Sequence, residues 1–186
     1  SVISVTPVFG QKVRFRVPRG WKPGFENAQG SSYMLELVPE EENVDNWTEL
    51  FTLQGLKGAS DKTTPKDALD YTAGTHKQAC GDQAVYELLE EIEISGYPAQ
   101  AAIIGCARML QNHPTGIRAG MGEIAYYIAI QGKEDLYMLH KSRRSMAYDP
   151  AKPPLNAENG GEFMADFMPV KLCKNEGEPY ECVEQE

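Results

Sequence analysis

From residue 84 to residue 142 the chain reads as four strands laid side by side, and few folds accommodate such a run. In 84–94, Tyr86, Leu88, Ile92 and Ile94 share one face, with Glu87, Glu91 and Glu93 on the other. Alternation with period two is the mark of a half-buried strand. Ser95-Gly96-Tyr97-Pro98 turns the chain. Residues 99–109 are nearly all apolar, which predicts a central strand covered on both faces. A loop follows at 111–121, with Pro114, Gly116 and Gly120. Residues 123–131 alternate again, with Ile124, Tyr126, Ile128 and Ile130 inward. Gly132-Lys133-Glu134 makes a hairpin turn into a last strand at 135–142.

Ahead of this meander, Val13, Phe15 and Val17 alternate with Lys12, Arg14 and Arg16. That predicts a strand over 12–17 with a basic face to solvent, ended by Pro18, Gly20, Pro23 and Gly24. A second strand spans 32–38, with Tyr33, Leu35 and Leu37 on one face. A third spans 47–56, with Trp47, Phe51 and Leu53 facing one way. Thr64 is a good N-cap, Pro65 suits the first helical position, and Gly81 suits the C-terminal cap, so a helix is expected over 65–80. Its core stripe is expected to be Ala68, Leu69, Tyr71, Thr72, Thr75 and Ala79. Gly74 weakens it by ~1 kcal/mol relative to Ala. A second helix is expected at 160–171, where Phe163 with Phe167 and Met164 with Met168 are i, i+4 pairs. The expected class is therefore α+β, a largely antiparallel sheet of about seven strands with helices packed on it.

The chain holds four cysteines, Cys80, Cys106, Cys173 and Cys182, and no C-x-x-C. Zinc-knuckle and thioredoxin-type spacings are thereby excluded. Three disulfide pairings are possible, and Cys80–Cys106 with Cys173–Cys182 is the expected one. The second pair closes a short loop through the turn formers Asn175, Gly177 and Pro179. Disulfides imply an oxidising compartment, so a periplasmic or otherwise extracytoplasmic location is expected. Four buried thiols of a cytosolic protein are the plainer alternative. No signal peptide is read at Ser1, where a strand-like run begins; a mature or trimmed chain has this look, and a lipid anchor before Ser1 fits it. No apolar run approaches a transmembrane length.

Lys and Arg number 18 against 27 Asp and Glu, a net charge of −9. Such a chain repels phosphate backbones, so no nucleic acid is expected as a partner. Gly120-Met121-Gly122-Glu123-Ile124-Ala125 matches G-x-G-x-x-A, but the dinucleotide fingerprint needs a strand before it and a helix after. Here a loop precedes and a strand follows, so the glycines are expected to serve the loop. His76, His113 and His140 show no metal-ligand spacing, and no nucleophile elbow or P-loop is present. No cofactor and no metal are expected. Charge is distributed unevenly: Lys12, Arg14, Arg16, Arg19 and Lys22 come with no acid, and Glu40, Glu41, Glu42 and Asp45 with no base. Ordinary solvated faces account for that; a steering patch for a charged protein also does. Lys12, Arg14, Arg16 and Arg19 with Trp21 and Trp47 are the candidate partner surface.

The run Phe15-Arg16-Val17-Pro18-Arg19-Gly20-Trp21 resembles the opening F-x-V-P-x-G-W of PsbP-like proteins. Gly96-Tyr97-Pro98-Ala99 at the meander turn, Tyr126 to Gly132 leading into Leu136-Tyr137, and the closing helix with Phe163 and Phe167 are similar as well. The resemblance covers roughly residues 12–171 and rests on order more than on sharp motifs. It implies the Mog/PsbP-like α/β/α sandwich. Residues 1–172 are expected as that single domain, and the cysteine spacing adds 173–186 as an acidic tail stapled by a disulfide. It also implies an accessory binding protein, most simply a bacterial periplasmic member. The four cysteines and the acidic tail depart from the family pattern.

The function expected from all this is a non-catalytic, extracytoplasmic accessory protein that binds a protein partner; it is not expected to be an enzyme. The first alternative is a small-molecule or metal-binding module with a cleft near Trp21, Trp47 and the 111–122 loop. The second is a hydrolase with an unmarked site.

Overall fold

A computed structural model describes residues 1–114, 116–176 and 182. In chain order it shows strands β1 (Val2–Val8), β2 (Gln11–Val17), β3 (Trp21–Gln29), β4 (Ser32–Pro39) and β5 (Glu49–Leu56), then helix α1 (Pro65–Cys80). Strands β6 (Ala84–Ile94), β7 (Tyr97–Cys106), β8 (Met121–Gln131) and β9 (Leu136–Met146) form the meander. A short helix α2 (Gly160–Met164), one 3₁₀ turn and strand β10 (Lys171–Lys174) follow. Among the described residues the strands make two sheets: a seven-stranded one in the order β3-β4-β5-β9-β8-β7-β6 and a three-stranded one in the order β1-β2-β10. Every pairing is antiparallel. The α+β class and the seven-stranded antiparallel sheet are as expected.

The small sheet and the α2 region cover one face of the large sheet. Val13 and Phe15 from β2, Leu35 and Leu37 from β4, and Phe51 and Leu53 from β5 meet there. Phe167 stacks on Phe51 at 4.1 Å, and Trp21 meets Phe167 edge-on at 5.0 Å. Helix α1 lies on the opposite face. Thr64 caps it: its Oγ1 accepts from the Asp67 N–H at 3.1 Å, and Asp67 Oδ2 accepts from the Thr64 N–H at 3.4 Å. That reciprocal pair satisfies donors the first turn otherwise leaves open. Gly81, at φ +60°, ends the helix as expected.

Several elements differ from the sequence expectation. Trp21–Gln29 is a strand, although Pro23 and Gly24 read as breakers. It is an edge strand, where proline is tolerated, and its register shifts between Pro23 and Phe25. Gly24 sits in that bulge, where a Cβ would lie 2.8 Å from Val44. A second bulge, between Leu88 and Glu91, interrupts β6. Tyr86 and Leu88 therefore stay partly exposed while Ile92 and Ile94 join the core under the small sheet. The helix expected at 160–171 lasts five residues before its 3₁₀ turn, and β10 takes part of its place. Tyr71 is not core: it is 77% exposed, and Ala68, Leu69 and Ala73 make the buried stripe.

Candidate functional site

Both disulfides are present as expected, with Cα–Cα separations of 5.9 Å for Cys80–Cys106 and 5.5 Å for Cys173–Cys182. The first ties the end of α1 to the end of β7. Cys173 lies opposite Lys12, so the second bond sits on the outer face of the small sheet. Gly177, Pro179 and most of the acidic tail lie outside the described residues.

The candidate partner surface is not one exposed patch. Arg14 and Lys12 are buried, Arg16 is half-buried and Arg19 is exposed. The basic face expected to meet solvent is instead largely buried at Lys12 and Arg14, with the Cys173–Cys182 bond on the same side of the sheet. Arg14 Nη1 donates to the Pro169 carbonyl at 3.4 Å. Trp21 packs into the core beside Phe167, whereas Trp47 is buried on the other face with Val38 and Leu50. The Arg144 guanidinium lies 3.6 Å over the Trp47 ring. The two tryptophans therefore share no cleft, and Trp47 does not face the same way as Phe51.

An apolar cavity lies elsewhere, between α1 and the large sheet. Helix α1 rests mainly on β6, β7 and β8, with Leu136 of β9 at its edge. Ala102, Ile104, Ala125 and Ala129 are small enough for the helix to seat closely. Beyond its edge a cleft of about 690 Å³ opens, walled by Leu56, Tyr71, Tyr127, Leu136, Met138 and His140. That volume is in the range of small-molecule sites, which are mainly apolar with a few placed polar groups.

The cleft's polar lining comes from both walls: Thr63, Asp67 and Thr72 on the helix side, and Gln54, Tyr127 and His140 on the sheet. The row through His140 runs on outside the lining. Tyr127 lies opposite His140, His140 opposite Thr52, and Thr52 opposite Glu36. The His140 ring stacks on Tyr127 with centroids 4.3 Å apart. Its edge lines the cleft, while Nδ1 is buried and has no hydrogen bond among the described residues; nor has Thr52 Oγ1. Burial, with nearby His76 adding to it, pushes the His140 pKa down to about 3, so the ring is neutral. Burial raises the Glu36 carboxyl above its ordinary value.

A second cavity of about 350 Å³ continues along the same helix edge, beside the Cys80–Cys106 bond. His76, His113, Ile117 and Glu123 line it, so the 111–122 loop does border a cavity, though neither tryptophan does. Burial lowers the His76 pKa, against the carbonyl of Thr72 that its Nδ1 meets at 3.0 Å. Burial raises that of Glu123, partly countered by Arg144. No group of three His, Cys, Asp or Glu side chains is placed to hold a metal ion among the described residues. The G-x-G-x-x-A glycines serve geometry: Gly120 takes φ +88° at the turn into β8, and a Cβ on Gly122 would lie 2.9 Å from the Met146 carbonyl.

No family model and no curated protein matches the chain. Three solved structures are similar to it. Cyanobacterial PsbP (CyanoP) of Synechocystis sp. PCC 6803 is 16% identical over 80% of this chain and 87% of its own, with a TM-score of 0.42. LpqN of Mycobacterium tuberculosis, described as involved in cell envelope biogenesis, is 12% identical over 93% and 92%, with 0.47. The Ran-binding protein Mog1p of Saccharomyces cerevisiae is 14% identical over 90% and 85%, with 0.46.

Sequence reasoning missed the cleft. In the sequence, His140 is one of three histidines without metal-ligand spacing, and nothing marks it as part of a cavity. A period-two pattern tells which residues share a face, but not which part of that face a helix leaves bare.

Proposed function

We propose that the chain is an extracytoplasmic, non-catalytic binding protein whose ligand site is the cleft beside α1. The observation that carries this reading is a mainly apolar cavity of about 690 Å³ between α1 and the large sheet, with a few polar side chains in its walls. The two disulfides support the compartment, since such bonds persist where the surroundings are oxidising. The test uses N-phenyl-1-naphthylamine, an uncharged dye that brightens in apolar sites. It is expected to bind the wild-type chain, and Met138→Glu, which sets a carboxylate in the cleft wall, is expected to abolish the signal. Equal binding by both would remove the cleft as the site. Turnover of an ester analogue of a bound ligand would instead favour the hydrolase reading.

A protein partner is a second reading, and an exposed apolar group favours it. Met121 and Met146 are cross-strand neighbours at one end of β8 and β9, 37% and 86% exposed, and Leu110, 58% exposed, lies beside them. Large exposed apolar side chains gathered together mark interaction surfaces. Met121→Glu with Met146→Glu should then weaken binding of the partner without changing dye binding in the cleft.

A further inference from the structure

The cleft wall carries more chemistry than a greasy pocket needs. Its apolar side is Leu56, Leu136 and Met138, with Tyr71 at the mouth. At the other side stands the imidazole of His140, fixed in plane by its stack on Tyr127. His140 Nδ1 and Thr52 Oγ1 are buried without a hydrogen bond on facing residues, closed off from the cleft. The other edge of the ring faces the cavity, so a ligand polar group meets His140 there.

Charge narrows the class of ligand. A neutral imidazole offers no positive charge to pair with a carboxylate or phosphate. The charged side chain in the cleft wall is acidic, Asp67. Lys66, the basic residue next to Asp67, is turned to Asp70 at 2.8 Å. A cationic head is no better placed. The Tyr127 face is occupied by the His140 ring, and Asp67 is held by the helix cap. An uncharged hydroxyl fits: it donates to or accepts from an imidazole nitrogen and needs no counter-ion.

We infer that the cleft binds an uncharged, largely apolar small molecule through a hydroxyl group, with His140 as the side chain that reads that hydroxyl. This rests on the cleft being the ligand site. The experiment therefore separates the two claims by using four probes of one shape: 4-hexylphenol, 4-hexylanisole, 4-hexylbenzoate and 4-hexylbenzylamine.

Titration calorimetry on the whole chain is expected to rank 4-hexylphenol tightest, by about tenfold over the methyl ether. His140→Phe keeps an aromatic ring on Tyr127 and removes both nitrogens. It should lower the phenol's affinity to that of the ether and leave the ether unchanged. In unsubstituted protein, 4-hexylphenol should shift the His140 imidazole nitrogen resonances, and 4-hexylanisole should not. That measurement decides the matter even if the variant folds poorly. Binding of all four probes with equal affinity would overturn the hydroxyl inference and leave the cleft standing. A preference for the benzoate or the amine would also overturn it, as would an unmoved His140 resonance. Failure of every probe to bind would sink the cleft reading itself.

Discussion

The face of the large sheet that carries α1 has two halves built on different rules. Under the helix the row Ile104 to Ala125 is small or branched and fully buried. Past the helix edge the row that starts at Ala129 continues through Met138, Gln54 and Met34, which are longer side chains. One half is a packed core and the other is a wall with a cavity in front of it. The contrast shows that residue size, more than apolar character, decides where a single helix settles on a seven-stranded sheet. The helix seats where alanines permit a close approach, and the bulkier half remains available for a ligand.

If that contrast is right, truncation should hurt one half far more than the other. Leu69→Ala, at a fully buried position of α1, should cost about 2–5 kcal/mol in urea unfolding, because it leaves a cavity in a close-packed layer. Met138→Ala, in the open wall, should cost well under that. Equal costs would mean that the open half is packed in solution.

The Cys80–Cys106 bond anchors the covered half at the end of α1. Replacing both cysteines by alanine should cost about 2–4 kcal/mol, read from the denaturation midpoint. Hydrogen exchange should rise first in the last turns of α1 and much less in β4 and β5. Uniform loss across the sheet would argue against two separately built halves.

At the seam between the halves, His140 and His76 make stability depend on pH. The folded chain holds His140 at a pKa of about 3, down from the ordinary 6.5, and shifts His76 in the same direction. Below pH 6.5 the unfolded chain takes up protons that the folded chain refuses. Stability is therefore at its full value above about pH 6.5 and falls as the pH drops towards 3. The loss attributable to His140 should reach at most about 1.4 kcal/mol per pH unit. Urea unfolding at pH 7, 6 and 5 measures it, and His140→Phe should remove that share of the slope. An unchanged slope would show that His140 titrates normally.

The smallest expected effect belongs to Thr52→Val. Its hydroxyl is buried without a hydrogen bond, so an equally shaped methyl should leave stability within about 1 kcal/mol of wild type, on the favourable side. A clear loss of stability in thermal unfolding would mean that the hydroxyl is bonded in solution.

Much of this architecture is legible in the chain. Alternation marked the meander, Thr64 and Gly81 bounded α1, and turn chemistry suggested the Cys173–Cys182 pair. The misreadings share a cause. Pro23 and Gly24 look like breakers because the sequence does not show that β3 is an edge strand with a bulge. Lys12 and Arg14 look solvated because alternation assigns a face without telling what covers it. Trp47 looks like a partner of Phe51 because the strand begins two residues later, at Glu49.

Local physics settles what neighbouring residues decide among themselves: the cap of α1, the period-two faces, and the turn at Ser95-Gly96. Those signals act over a few residues, so one sequence displays them. The order β3-β4-β5-β9-β8-β7-β6 places Thr52 of β5 beside His140 of β9, residues far apart in the chain. Only tertiary packing decides where α1 stops across that order. The cleft exists because a helix about two strand spacings wide cannot cover seven strands, and which strands it leaves bare depends on contacts that no local pattern encodes.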